Sequence, residues 1–396
     1  MEKKIGWFVP LTLGMLTAFG PFVTDFFLPA LPEMATFFHT SPSLVSLSLT
    51  TGMIGLAAGQ IMIGPLSDKY GRRPLLLLSM ALFVLASVAC IFSPNIYVFN
   101  AMRVAQGFGG AGGIVLSKSI STDMFTGKDL AKFMAILGAI NGIAPVSAPV
   151  VGGALMKVTN WQGIFIALLA IGVVLLLCSI FLKETLLPAM RSTKNVIRVY
   201  GNLFHVFRSR RFTLSTVAMM FCFFTFFAYI ASSPFILQQL YGLSPLIYAL
   251  VFGVNALMIG VGSGMATLFH HDNTALKWGS INFFIGTILV AVSLILELPL
   301  WLLIPSYIYL MTSFGLMQPV STAIALDAGR DYAGAASAIF GASGFVAGAV
   351  SSPLVSLGDI RLGSGLTMLL GGVFCLVLTL MLCEEVKQEG MKKAKK

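Results

Sequence analysis

Residues 64–93 read GPLSDKYGRRPLLLLSMALFVLASVACIFS. Four charges, Asp68, Lys69, Arg72 and Arg73, crowd into six residues, and from Leu75 to Ser93 there is none. A helix rises ~1.5 Å per residue, so such a run covers the ~30 Å of a bilayer's hydrocarbon. A charged bend followed by a bilayer-length apolar run predicts a membrane span entered from a tight polar loop. The same alternation continues through the chain. Apolar runs fall at about 7–28, 43–66, 75–93, 97–121, 131–156, 162–182, 213–238, 246–269, 278–296, 299–325, 336–357 and 363–383.

Composition agrees. The 396 residues are 57% hydrophobic and 10% charged, against about 25% charged in a soluble domain. Too few charges are present to cover the surface of a soluble enzyme of this length. The expected class is therefore an all-α integral membrane protein with twelve transmembrane helices. The net charge of +10 is explained by position. With both termini on one side, that side holds 21 of the 25 Lys and Arg, and the other holds Lys157 and Arg361. Positive loops stay in the cytoplasm, so both termini are expected there. The basic excess reports topology and contact with anionic lipid, and no nucleic-acid partner is expected.

The start, with Lys3 and Lys4 before an apolar run, imitates a signal peptide, but the run is too long and no small-residue cleavage site follows. It reads as the first span. The five Cys, at 90, 178, 222, 375 and 383, lie in or at the ends of spans without paired loop spacing. Neither a disulfide frame nor a metal site is expected.

One stretch breaks the pattern. Residues 183–212 carry Lys183, Arg191, Lys194, Arg198, Arg208, Arg210 and Arg211 against one acid, Glu184. Val196, Val199, Leu203, Val206 and Phe207 recur there at helical spacing, which predicts a short amphipathic helix on the inner leaflet. The chain thus divides into a six-helix lobe (1–182), a basic cytoplasmic linker (183–212) and a second six-helix lobe with a basic tail (213–396). This is the layout of a two-lobed transporter with its site between the lobes.

Gly107-Phe-Gly109-Gly-Ala-Gly112 is a literal G-x-G-x-x-G, but it sits inside an apolar run without a preceding strand, so a dinucleotide site is not expected. Glycines four apart at 55/59, 109/113, 138/142, 260/264 and 344/348 predict close helix approaches.

Ionisable groups inside a span are costly and read as functional by default. Three exist: Asp25, Arg103 and Lys118. Asp25 and Arg103 each lie ~6–10 Å below the outer boundary by helical rise, a depth at which they are expected to pair or share a cavity. Lys118 lies near the inner end of its span, where it can snorkel. Burial raises a carboxyl pKa and a nearby Arg lowers it, so Asp25 is the expected proton carrier and Arg103 its charge partner. The second lobe has no intramembrane charge. Its Phe221–Phe227 run and Tyr229 read either as lipid-facing rings or as an apolar wall for bulky substrates.

Gly64-Pro-Leu66-Ser-Asp68-Lys-Tyr-Gly71-Arg72-Arg73 resembles the loop signature of the major facilitator superfamily. Arg103-Val-Ala-Gln106-Gly107 resembles that family's fourth-span motif. Ala148-Pro149-Val-Val-Gly152-Gly153 resembles its antiporter motif, with Ala where Gly is usual. Asp25-Phe-Phe-Leu-Pro29-Ala-Leu-Pro32 resembles the end of span one in twelve-span drug:proton antiporters, and Tyr229-Ile-Ala-Ser-Ser-Pro234-Phe with Tyr241-Gly242-Leu-Ser244 resembles their bicyclomycin and chloramphenicol resistance branch. The second copy of the loop signature, expected after span eight, is lost at Phe269-His-His-Asp-Asn273. The resemblance implies a cytoplasmic latch of Gly64, Asp68, Gly71, Arg72 and Arg73, with Asp123 as partner of Arg72 and Asp68 facing the start of span eleven. It also implies a bent fifth span carrying Pro145, Pro149, Gly152 and Gly153.

The expected function is proton-coupled export of small amphipathic drugs by alternating access, from a monomer in the inner membrane. No cofactor is expected beyond the proton gradient. Gln106, Asn141 and Asn255 are the expected polar contacts to substrate, and Phe19, Phe22, Phe223, Phe226 and Tyr229 the apolar ones. Export of a host metabolite by the same fold stays open as an alternative. A receptor or intramembrane enzyme is disfavoured, because no zinc motif and no intramembrane His exists.

Overall fold

A computed structural model describes residues 8–191, 204–269, 271–330, 333–356 and 358–394. Among these residues the chain is helical and contains no strand. It divides into two compact units, Met1–Val199 and Tyr200–Lys396.

In the first unit the long helices are α1 (Phe8–Asp25), α3 (Pro42–Tyr70), α4 (Arg72–Ile91), α5 (Ile96–Met124), α6 (Gly127–Leu155) and α7 (Trp161–Phe181), with a short α2 at Leu31–Phe37. In the second they are α8 (Arg210–Phe235), α9 (Pro245–Ala266), α10 (Asp272–Ile295), α11 (Leu300–Ala328), α12 (Ala333–Leu354) and α13 (Ile360–Ala394). Ten of the described helical segments are long and apolar enough to cross a membrane, and Gly142–Leu155 is a shorter apolar helix. The protein is therefore a multi-pass membrane protein. Helix α5 is long enough, but Asn100, Arg103, Gln106, Lys118 and Asp123 dilute its apolar character.

Local chemistry sets the helix starts. Ser41, Ser209 and Ser244 each accept a hydrogen bond from the backbone N–H three residues on, and Asn95 accepts from Tyr97 and Val98. Such caps satisfy donors that a helix leaves orphaned. Pro42 and Pro245 follow two of these caps at the first helical position, where the missing N–H costs nothing.

The first apolar run, expected over 7–28, breaks earlier. Helix α1 ends at Asp25, a 3₁₀ turn covers Leu28–Ala30, and α2 carries the chain on to Phe37. Pro29 and Pro32 have no backbone N–H to donate to the carbonyls of Asp25 and Leu28, which interrupts one continuous helix. The amphipathic helix expected in the linker falls mostly on residues 192–203, outside the described residues. Its end, Phe204–Arg208, is a 3₁₀ turn.

Glycines fix the closest approaches. A Cβ at Gly107 would collide with the Gly52 carbonyl, and one at Gly55 with the Val104 carbonyl, so α3 and α5 touch backbone to backbone. A Cβ at Gly109 or Gly112 would instead meet α4 at Ser79. The G-x-G-x-x-G stretch is thus a two-sided packing surface. In the second unit the close contact is made by Gly262 against Thr312 and Gly315 against Ile259, whereas Gly260 and Gly264 face open space. The expectation that the 260/264 pair packs is corrected: the helix presents the glycine between them.

Gly107→Val forces a branched side chain against a backbone carbonyl with nowhere to yield. It is expected to cost about 2–3 kcal/mol, read as a lower thermal-unfolding midpoint in detergent. Gly264→Ala adds its methyl to open space inside a helix and is expected to stabilise the protein by about 0.5–1 kcal/mol, the gain in helix propensity.

Candidate functional site

The junction of α3 and α4 is built around Gly71, whose φ of +106° suits glycine. The turn brings Asp68, at the end of α3, beside Arg72, at the start of α4. Arg72 is 8% exposed. Its Nε donates to Asp123 Oδ2 at 3.0 Å, and its Nη1 donates to Ser67 Oγ at 2.7 Å and to Asp68 Oδ1. Asp68, Arg72 and Asp123, three of the four charged residues named for the latch, are therefore in contact within the first unit. Gly64 lies a turn earlier, its position for a Cβ in ordinary contact with Val115.

Glu184 completes this junction, and the sequence reading gave it no role. Its Oε1 accepts from the backbone N–H groups of Arg72, Thr185 and Leu186, each at 3.0 Å, and its Oε2 accepts from Arg73 N at 3.3 Å. One carboxylate thus caps α4, where the helix dipole favours negative charge. A side chain at Gly71 would collide with Glu184 Oε2. Thr185 Oγ1 donates to Asp123 Oδ2 at 3.0 Å, and Arg73 Nη2 donates to Ile180 O at 2.8 Å. Glu184 and Thr185, which fall at the start of the expected linker (183–212), are bonded to the first unit. The available signal was that Glu184 is the one acid in a basic stretch.

A second cluster surrounds Arg103, which is fully buried. Its Nη2 donates to Val23 O at 2.8 Å on α1, its Nε to Ser48 O at 3.3 Å on α3, and its Nη1 to Gln106 Oε1. Its guanidinium lies 4.4 Å from the Phe27 ring centroid and 5.8 Å from that of Phe165. Gly52 leaves room for the charged head, because a Cβ there would collide with Nη2.

Among the described residues no ion pair joins Arg103 to Asp25. The expected pairing is corrected: carbonyl dipoles and an amide occupy the guanidinium. Asp25 is the last residue of α1 and is 5% exposed, and its Oδ1 is buried without a hydrogen-bond partner. The antiporter stretch comes close to it. Pro145 and Pro149 lie inside α6, Gly153 is buried, and a Cβ at Gly152 would collide with the carbonyl of Phe26, the residue after Asp25. Lys118 is exposed on α5.

The expected substrate contacts separate into groups. Gln106 is fully buried and spends both ends of its amide, on Arg103 and on Ser87 Oγ at 2.8 Å, so it braces the unit and has no polar atom left over for a substrate. Phe19 is buried against Phe83, with centroids 4.4 Å apart, and belongs to the core. Phe22 is half-buried against Phe26. The side chain of Asn141 lies outside the described residues.

In the second unit, Phe223 and Phe226 are half-buried and flank Phe314, with centroids at 5.4 and 4.7 Å. Tyr229 and Asn255 are brought together: Asn255 Nδ2 donates to the Tyr229 hydroxyl at 2.8 Å. Both are 1% exposed. Tyr307, which the sequence reading passed over, packs on Tyr229 with ring centroids 4.8 Å apart.

The family model described as Major Facilitator Superfamily matches residues 13–352. An uncharacterised MFS-type transporter of Bacillus subtilis, YdgK, is 36% identical over 353 residues, 88% of each chain. A bicyclomycin resistance protein homolog of Haemophilus influenzae is 26% identical over 385 residues, 96% of each chain. Among solved structures, a D-xylose-proton symporter superposes with a TM-score of 0.78 at 15% identity, over 95% of this chain and 97% of that one. At that identity the likeness speaks for the fold alone.

Glu184→Ala strips the acceptor from the start of α4 and is expected to cost about 2 kcal/mol, measured by thermal unfolding. Arg103→Lys keeps the charge but loses the fork that reaches three acceptors. It is expected to destabilise the protein by about 2 kcal/mol or more, checked by the same measurement.

Proposed function

Because the chain belongs to the major facilitator superfamily, whose members are transporters and not enzymes, we propose that it is a proton-coupled exporter of small amphipathic compounds. It resides in the cytoplasmic membrane, crosses it twelve times with both termini inside, and works as a monomer by alternating access. The observation that carries this reading is the carboxylate of Asp25, buried in the membrane-spanning part of the first unit with an oxygen that has no partner. A charge in that position is costly, and binding a proton removes it. A group whose charge is balanced by no neighbour responds to a proton or to a cationic solute, and competition between the two couples their fluxes.

The surroundings support this role. Arg103 holds the Val23 carbonyl two residues before Asp25, and Gly152 packs on the Phe26 carbonyl one residue after it. The carboxylate therefore sits at a helix end clamped on both sides. Arg103 positions that end and does not neutralise the acid. The Asp68–Arg72–Asp123 cluster with Glu184 serves as the inner latch. Its Asp68–Arg72 pair is exposed on the Asp68 side, by 53%, and exposed ion pairs contribute only ~0.2–1 kcal/mol each. That suits Asp68 to exchange partners in a gate, whereas the Arg72–Asp123 pair is largely buried and holds the turn. The Haemophilus relative's name supports drug export as the transport direction and class. The energy source is the proton gradient, and no cofactor is invoked.

The test is drug-dependent proton movement in proteoliposomes of the purified protein under an imposed pH gradient, with a panel that includes chloramphenicol and tetraphenylphosphonium. Wild type is expected to release protons on addition of a substrate, and Asp25→Asn to lose active transport while keeping binding or passive exchange. Full active export by Asp25→Asn would remove the carrier role from this residue. Silence across the panel with transport of a metabolite intact would favour a metabolite exporter of the same fold.

A further inference from the structure

The second unit contains a polar cluster that its sequence hides among aromatic residues. Asn255 on α9 donates through Nδ2 to the Tyr229 hydroxyl on α8, and Tyr307 on α11 packs its ring against that of Tyr229. Two atoms of this cluster are unsatisfied: Asn255 Oδ1 and the Tyr307 hydroxyl are buried and make no hydrogen bond among the described residues. Their residues are 1% and 0% exposed. A buried polar group without a partner is destabilising, and in a membrane-spanning unit no bulk water relieves it.

The charge around the cluster is also informative. From Phe212 to Ala266, and again from Leu298 to Leu326, there is no Asp, Glu, Lys or Arg. The cluster offers one amide acceptor and one phenol that donates or accepts, on three helices that carry no formal charge over these stretches. A neutral group that both donates and accepts is the complementary partner.

We propose that Asn255 and Tyr307, held in register by Tyr229, form a specificity-determining subsite in the second unit for a neutral hydroxyl or amide of the transported compound. This rests on the exporter reading given above and adds to it a second kind of recognition beside the acid of the first unit. The cluster is covered in this structure, and α8 supplies a way to uncover it. Pro234 lies inside α8 five residues beyond Tyr229, and Ile236–Leu240 continues as a π-helical turn. Both features interrupt the regular backbone bonding of a helix within about two turns of Tyr229, which makes this end of α8 the weakest point of the wall around the cluster.

The test compares two probes in proteoliposomes of the full chain: chloramphenicol, neutral with hydroxyl and amide groups, and tetraphenylphosphonium, a cation with no hydrogen-bonding group. Tyr307→Phe keeps the ring and removes only the hydroxyl. It is expected to raise KM for chloramphenicol about three- to tenfold, the loss of one neutral hydrogen bond, and to leave KM for tetraphenylphosphonium within twofold. Asn255→Leu is expected to behave alike, and Tyr307→Phe carries the test by itself if that variant does not fold. Equal shifts for both probes, a shift for the cation alone, or no shift would overturn the subsite. Wild type that carries the cation alone would overturn the subsite and leave export standing. Wild type that carries neither probe would overturn both readings together.

Discussion

A guanidinium placed where the chain crosses hydrocarbon has to find its acceptors inside the protein, and the first unit is arranged around how Arg103 does so. Water is absent, so each N–H left over would cost the full penalty of an unmade bond. Arg103 resolves this by reaching the Val23 carbonyl on α1, the Ser48 carbonyl on α3 and the Gln106 amide on its own helix. That requires three helix segments at fixed spacing. Gly52 provides the room for the charged head, and Gly55 and Gly107 let α3 and α5 come together closely enough for the fork to span them. The end of α1, with Asp25, is set in place as a consequence.

The loop between α3 and α4 solves the opposite problem. There the charges lie at helix ends, and several are partly exposed. Arg72 gathers Asp68 and Asp123, while Glu184 returns from beyond α7 to accept four backbone N–H groups, two of them at the start of α4. One cluster ties a buried charge to backbone carbonyls and an amide, and the other joins charged side chains at helix ends to one another and to backbone N–H groups.

The two units differ in their polar chemistry. The first holds the intramembrane acid and its neighbouring guanidinium. The second relies on phenols and an amide, Tyr229, Tyr307 and Asn255, packed among Phe rings.

Much of this was legible in the residues. Apolar length and charge spacing determined a multi-pass helical protein, because the bilayer imposes one thickness on every crossing. The spacing of Asp68, Gly71 and Arg72 determined the tight turn at the loop, and the rarity of intramembrane charge singled out Asp25 and Arg103. The tertiary structure decided what these residues touch. Depth along a helix follows from counting, whereas rotation about its axis follows from packing. That is why Arg103 and Asp25 lie at similar expected depth and still do not pair, and why Gln106 and Phe19 turn into the interior. Glu184 lies more than a hundred residues from Arg72, and Tyr307 more than seventy from Tyr229, so no local pattern joins them. Only folding brings such partners within hydrogen-bond or ring-contact distance, because the contacts depend on where separate helices come to rest.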